Sequence, residues 1–247
     1  KDRPVFSQAQ MRMKEEKRHF LKSLLFPVLF AGSCWGIFLW AHLSGTSLAG
    51  WGVYPREWPG LWGIFTSPFA HGSLEHLFSN TVPLLVLGTC LFYFYPGIAA
   101  ELLLWQYLTT GLWLWFIGRP SYHIGASSLI YSLAFFLLAS GFMRKNKALL
   151  AISLMIITFY GYLVWGVFPI EPGVSWEGHL TGLISGVVLA FFFRKEGPPD
   201  EKQWVWDDSD LDGIEPYWEE KDEGLDENAR PVHFRYHYKE SGKKEQG

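Results

Sequence analysis

The chain has 247 residues, of which 49% are hydrophobic and 18% aromatic, with 13 Trp and 20 Phe, well beyond an ordinary soluble domain. Its net charge of −3 hides a division: residues 1–195 carry 14 basic and 8 acidic side chains, net +6, while residues 196–247 carry 7 and 16, net −9. The basic residues are spread along the chain and do not form one continuous patch, which argues against a nucleic-acid partner, and the two cysteines, Cys34 and Cys90, lie in apolar runs that offer neither a disulfide framework nor a zinc site.

A membrane-spanning helix needs about 20 largely apolar residues, because the hydrocarbon is about 30 Å thick and every backbone polar group must be satisfied internally. Six such runs are read along the chain, at residues 20–43, 74–95, 98–117, 127–143, 149–168 and 178–193. The fold class expected is therefore an all-α polytopic membrane protein. It has a cytoplasmic segment 1–19, a six-helix body 20–195 and an acidic tail 196–247. The first run is too long, and lacks the small-residue cleavage site, of a signal peptide. The fourth and sixth runs are short, so their ends should lie below the membrane surface or the bilayer should thin around them.

Lys14, Lys17, Arg18 and Lys22 surround the start of the first run; Arg144, Lys145 and Lys147 separate the fourth and fifth; Arg194 and Lys195 follow the sixth. With six crossings these all share one side, and the opposite loops hold only Arg56 and Arg119, so both termini are expected in the cytoplasm of a plasma (inner) membrane. The loop at 44–72 is long and rich in Trp, Pro and Gly, which suits a folded lobe in the outer leaflet. No internal repeat is visible. The tail is polar and acidic with scattered aromatics (Trp204, Trp206, Trp218), a composition expected to stay loosely structured or to dock a cytoplasmic partner. Its alternating stretch 232–238 reads as a short strand, which would instead brace the helices.

Polar side chains at membrane depth are costly and mark functional candidates, the alternative being a hydrogen bond between helices. His76 and Asn80 stand four apart and share one helix face, with His71 in the loop before them. Gly125-Ala126-Ser127 opens the fourth run, placing a hydroxyl where free backbone N–H groups point outward; Ser127 and Tyr131 share a face. His179 lies beside a small-residue face formed by Gly178, Gly182 and Gly186, which draws it toward a neighbouring helix. Arg56, Glu57 and Glu75 read as interfacial or structural. A serine, a histidine base and His/Asn donors are together the parts of an acyl-transfer site.

His-x(4)-His-x(3)-Asn at 71–80, Gly-x-Ser at 125–127 and His-x(2)-Gly-x(3)-Gly at 179–186 resemble the rhomboid intramembrane serine proteases, over residues 20–195 and in the same order. The resemblance implies a Ser127–His179 dyad without aspartate. It also implies an oxyanion hole from His76, Asn80 and the Ser127 N–H, with Tyr131 holding the His179 ring and His71 supporting the loop above. It implies no cofactor and no metal. Substrates would be single-pass transmembrane proteins, cut near the outer face of the lipid bilayer, with residues 169–177 as a movable cap. One departure is Ser128, where the family pattern has glycine; its added hydroxymethyl group bears on how closely the helices can pack there and offers a rival nucleophile, although the four-residue spacing to Tyr131 favours Ser127. Two other readings stay open at this stage: an inactive client-binding relative, and a proton-coupled transporter, which would want acidic partners and repeats that are not evident. An aspartyl mechanism is excluded by the lack of Asp between Asp2 and Asp200, and a zinc mechanism by the lack of His-Glu-x-x-His.

Overall fold

A single helix, α1 (Val5–Ser44), opens the computed structural model, which describes residues 5–159, 165–170 and 173–198. It begins 15 residues before the apolar run that was expected to define it. The reason is local: residues 8–18 are rich in Gln, Met, Lys, Glu and Arg, good helix formers with no Pro or Gly, and Arg12 pairs with Glu16 at 3.3 Å across one turn. Hydropathy falls at Lys22, but nothing in the backbone interrupts the helix.

The segment after α1 is a lobe of short turns. The 3-10 helices Ala49–Trp51, Trp58–Trp62 and Ser67–Phe69 flank a single helical turn, α2 (Gly63–Thr66). Its chain crossings are close because glycine permits them: a Cβ on Gly63 would sit 2.2 Å from the Gly52 carbonyl oxygen. The lobe is fastened to the body by Tyr107 Oη donating to Phe65 O (2.7 Å), Trp115 Nε1 to Glu57 O (2.9 Å) and the Arg56 guanidinium to Gly118 O (3.0 Å). Arg56 is thus structural, while Trp58 and Trp62 remain exposed.

The body consists of α3 (Leu74–Phe94), α4 (Ala99–Ile117), α5 (Ser127–Met143), α6 (Lys147–Phe159) and α7 (Trp176–Phe192), besides α1. The helix α5 is central: α7 packs on it most extensively, with α6, α3 and α4 around the remainder. Its residues Leu129–Ala134, Phe136 and Leu137 are accordingly buried, although a helix with apolar residues on every side carries no amphipathic signal. The outward faces of the other helices are apolar and exposed, as with Leu29 at 61% and Phe192 at 75%, the pattern of a surface solvated by lipid.

Among the described residues, 10–44 and 74–94 are long and apolar enough to cross a bilayer unaided, and α5 and α7 are apolar helices of 17 residues each. At 1.5 Å per residue, α5 covers about 26 Å, less than the hydrocarbon thickness. At the end of α5 away from Ser127, Arg144 donates to the carbonyls of Arg194, Glu196 and Pro198, and Tyr95 Oη meets Ser140 Oγ at 2.5 Å. The fold therefore continues past Lys195. The remainder of the tail, including Trp204, Trp206, Trp218 and the stretch 232–238, lies outside the described residues.

Candidate active site

Three helix starts converge. The first belongs to α5. Gly125 has φ +107, a conformation that favours glycine, and a Cβ there would come within 2.5 Å of His76 Nε2. Its N–H donates to Ser67 O at 2.8 Å, fixing the turn. Ala126 caps α5 without a side-chain acceptor, so the N–H groups of the first turn, beginning with that of Ser127, have no partner within the helix. The half-buried Ser127 hydroxyl stands at this electropositive end.

The second start belongs to α7. Ser175 Oγ accepts from Gly178 N at 3.3 Å as its cap. One residue on, the buried His179 ring lies parallel to that of Tyr131, with centroids 4.2 Å apart and 7° between planes. His179 Nδ1 is 2.8 Å from Gly166 O, and a carbonyl can only accept. The proton is therefore on Nδ1, and Nε2 carries the lone pair a general base needs. The approach of α7 to α5 rests on glycine. A Cβ on Gly178 would sit 2.6 Å from Ser128 Oγ, on Gly182 2.2 Å from Ser128 O, and on Gly186 2.4 Å from Ser132 O. The extra hydroxymethyl of Ser128 is thus accommodated in the space left by Gly178, on the α7 side.

The third start is that of α3, capped by Ser73, which accepts from His76 N at 3.1 Å. The His71 and His76 rings meet edge to face at 5.0 Å. Asn80 Nδ2 donates to His76 O at 2.8 Å, along its own helix. His71 Nδ1 lies 3.3 Å from Phe69 O; burial, and secondarily the neighbouring His76, push its pKa down to about 4.

These contacts bring His76 to Gly125, Tyr131 to His179, and Gly182 to both Ser128 and Tyr131. No hydrogen bond joins Ser127 Oγ to His179 Nε2 among the described residues, and Asn80 is directed to backbone. Catalytic hydrogen bonds commonly tighten only when substrate is bound.

Sequence reasoning missed one set of residues. His123 Nδ1 accepts from Ser175 Oγ at 2.6 Å while its Nε2 donates to Arg119 O at 3.0 Å. Burial holds the His123 pKa below its ordinary value, consistent with a neutral ring. Arg119 also lies 3.5 Å from the buried Glu177 carboxylate and donates to Val174 O at 2.7 Å. Together these bolt the loop preceding Ser127 to the start of the helix carrying His179. None of these contacts was read from the sequence, since the 52-residue separation of His123 and Ser175 has no local signature.

A helical bundle with an apolar outer surface, a short central helix and polar side chains gathered at one end defines a class: integral membrane proteins with a buried polar site. The profile of the rhomboid domain matches residues 59–196, more than half of the chain, and the chain belongs to the rhomboid family of intramembrane-protease-like proteins. Uncharacterized proteins of Mycobacterium bovis and Mycobacterium tuberculosis are each 38% identical over 163 residues, covering 61% of this chain and 66% of the relative. One from Mycobacterium leprae is 39% identical over 147 residues, covering 53% and 55%. The chain thus spans just under two thirds of the length of the first of these relatives.

Proposed function

We propose that this protein is an intramembrane serine endopeptidase that hydrolyses peptide bonds of single-pass transmembrane substrates near the outer membrane face. The bundle crosses the membrane six times with both termini cytoplasmic. The observation that carries the reading is the His179 ring, stacked on Tyr131 and hydrogen-bonded through Nδ1 so that Nε2 is free to act as base beside the start of α5.

Ser127 Oγ attacks the scissile carbonyl as His179 Nε2 takes its proton. The oxyanion forms against the Ser127 N–H, His76 and Asn80, the last after its amide turns from His76 O. His179 then returns the proton to the leaving amine, and water, activated by the same nitrogen, releases the acyl-enzyme. A substrate helix must unwind locally first, because its carbonyls are otherwise hydrogen-bonded and closed to attack.

The test is cleavage of a fluorogenic transmembrane substrate together with labelling by a fluorophosphonate probe. Both should be lost in Ser127→Ala and reduced to background in His179→Ala, while Ser128→Ala keeps measurable activity. Labelling that survives S127A and disappears in S128A would reverse the nucleophile assignment. An unlabelled, inactive wild type would instead favour a client-binding relative.

A further inference from the structure

Residues 10–18 of α1 are exposed and lie before its packing on the bundle begins. His19 is its first contact with another helix: Nε2 donates to Tyr93 O at 3.0 Å and the rings pack at 4.8 Å, beside the last residue of α3. The 14 residues from Val5 to Arg18 therefore run on beyond the end of α3 by about 21 Å. Lys14, Lys17, Arg18, Leu21, Lys22 and Leu25 line an open groove of about 410 Å³ along this helix. Their spacing is i, i+3, i+4, i+7, i+8 and i+11, so they occupy one face. The opposite face is the one turned to the bundle, with His19 on Tyr93, Ser23 buried, and Pro27 against Gly88.

We propose that this face is a binding site for anionic phospholipid headgroups. The four cations fall within nine residues, about 12 Å along the axis, at the level where α3 ends. Of the two carboxylates in this stretch, Glu16 is on the far side, engaged by Arg12 at 3.3 Å, and Glu15 flanks the face three residues before Arg18, so the four cations keep an excess of positive charge. Leu21 and Leu25, exposed at 54% and 61%, continue the same face toward the membrane interior. The order along the helix, with three of the four cations before Leu21 and Leu25 last, matches a lipid in section: phosphate outside, acyl chain inside. A zwitterionic headgroup presents its own cation to the same lysines and lacks this complementarity. The site is independent of the proposed proteolysis, since none of its residues belongs to the Ser127 cluster.

The test uses the full-length protein in neutral detergent with equal amounts of dioleoylphosphatidylglycerol and dioleoylphosphatidylcholine, and counts lipid adducts by native mass spectrometry. Wild type should retain the anionic lipid by at least roughly tenfold over the zwitterionic one, with the preference shrinking as salt rises from about 0.05 to about 0.5 M. The variant K14Q/K17Q/R18Q/K22Q should lose the preference and take up the two lipids about equally. K14R/K17R/K22R, which keeps the charge, and K145Q/K195Q, which removes cations elsewhere, should both retain it. Equal uptake of the two lipids by wild type, or an undiminished preference in the fourfold glutamine variant, would overturn the proposal. So would complete displacement by inorganic phosphate at about 10 mM, which would indicate a site for soluble anions.

Discussion

Adding one methyl group at Gly182 tests whether helix contact sets the catalytic geometry. A Cβ there would lie 2.2 Å from Ser128 O and 2.8 Å from Tyr131 Cβ. Ordinary contact for such atoms is about 3.5 Å, so α7 must withdraw from α5 by about 1.3 Å along the tighter vector. The Ser128 carbonyl is held in the α5 backbone and cannot swing aside as a side-chain end would. Overpacking of this kind costs about 1–3 kcal/mol. The kinetic effect should be larger, because His179 moves with α7 while Ser127 stays on α5. A misplacement of about 1 Å lowers rate by about 100-fold. Gly182→Ala should therefore lower kcat on the fluorogenic substrate by about two orders of magnitude, with a Tm reduced by several degrees. Gly36→Ala in α1 is the control: its Cβ would meet nothing within 4 Å, and both readouts should stay near wild type. Full activity in Gly182→Ala would refute the reasoning that this contact positions base and nucleophile.

Asn80→Ala should lower kcat by roughly 10- to 1000-fold with the Tm little changed; an unaltered kcat would leave Asn80 as a brace for α3 through its bond to His76 O. His71 titrates near 4 in the fold and near 6.5 unfolded, so the unfolded state binds more protons between those values. Stability is complete above about pH 6.5 and falls as pH drops toward 4, by at most about 3 kcal/mol; thermal melts from pH 7 to 5 should show the decline, and His71→Gln should flatten it. A chain ending at Lys202 should cleave within a few-fold of full length, because the carbonyls held by Arg144 end at Pro198; a chain ending at Lys195 should melt lower, since it removes two of the three. Equal melting of the two truncations would show that the clasp contributes nothing to stability.

The residue types and their order were legible from the sequence alone. Ser127, His179, His76 and Asn80 stand out because polar groups in apolar runs are costly enough to need a reason. Local pattern also placed α5 within its observed bounds, since Gly125 and the run of apolar residues after Ser127 mark a helix start without tertiary help. The beginning of α1 was not legible from hydropathy, because helix formation follows backbone propensity whereas burial follows apolarity, and the two part company at Lys22.

Tertiary structure alone decided which groups meet. The His179 tautomer is set by Gly166 O, 13 residues away, and the His123–Ser175 and Arg119–Glu177 contacts join positions separated by 52 and 58 residues. It also decided what the small residues are for. Glycines four apart announce a close helix contact but not its partner. That Gly178 receives the Ser128 hydroxyl, and Gly182 the Ser128 carbonyl, depends on the rotation of α5 about its axis. A helix that is apolar on every side holds no record of that angle in its sequence, and packing against four neighbours fixes it.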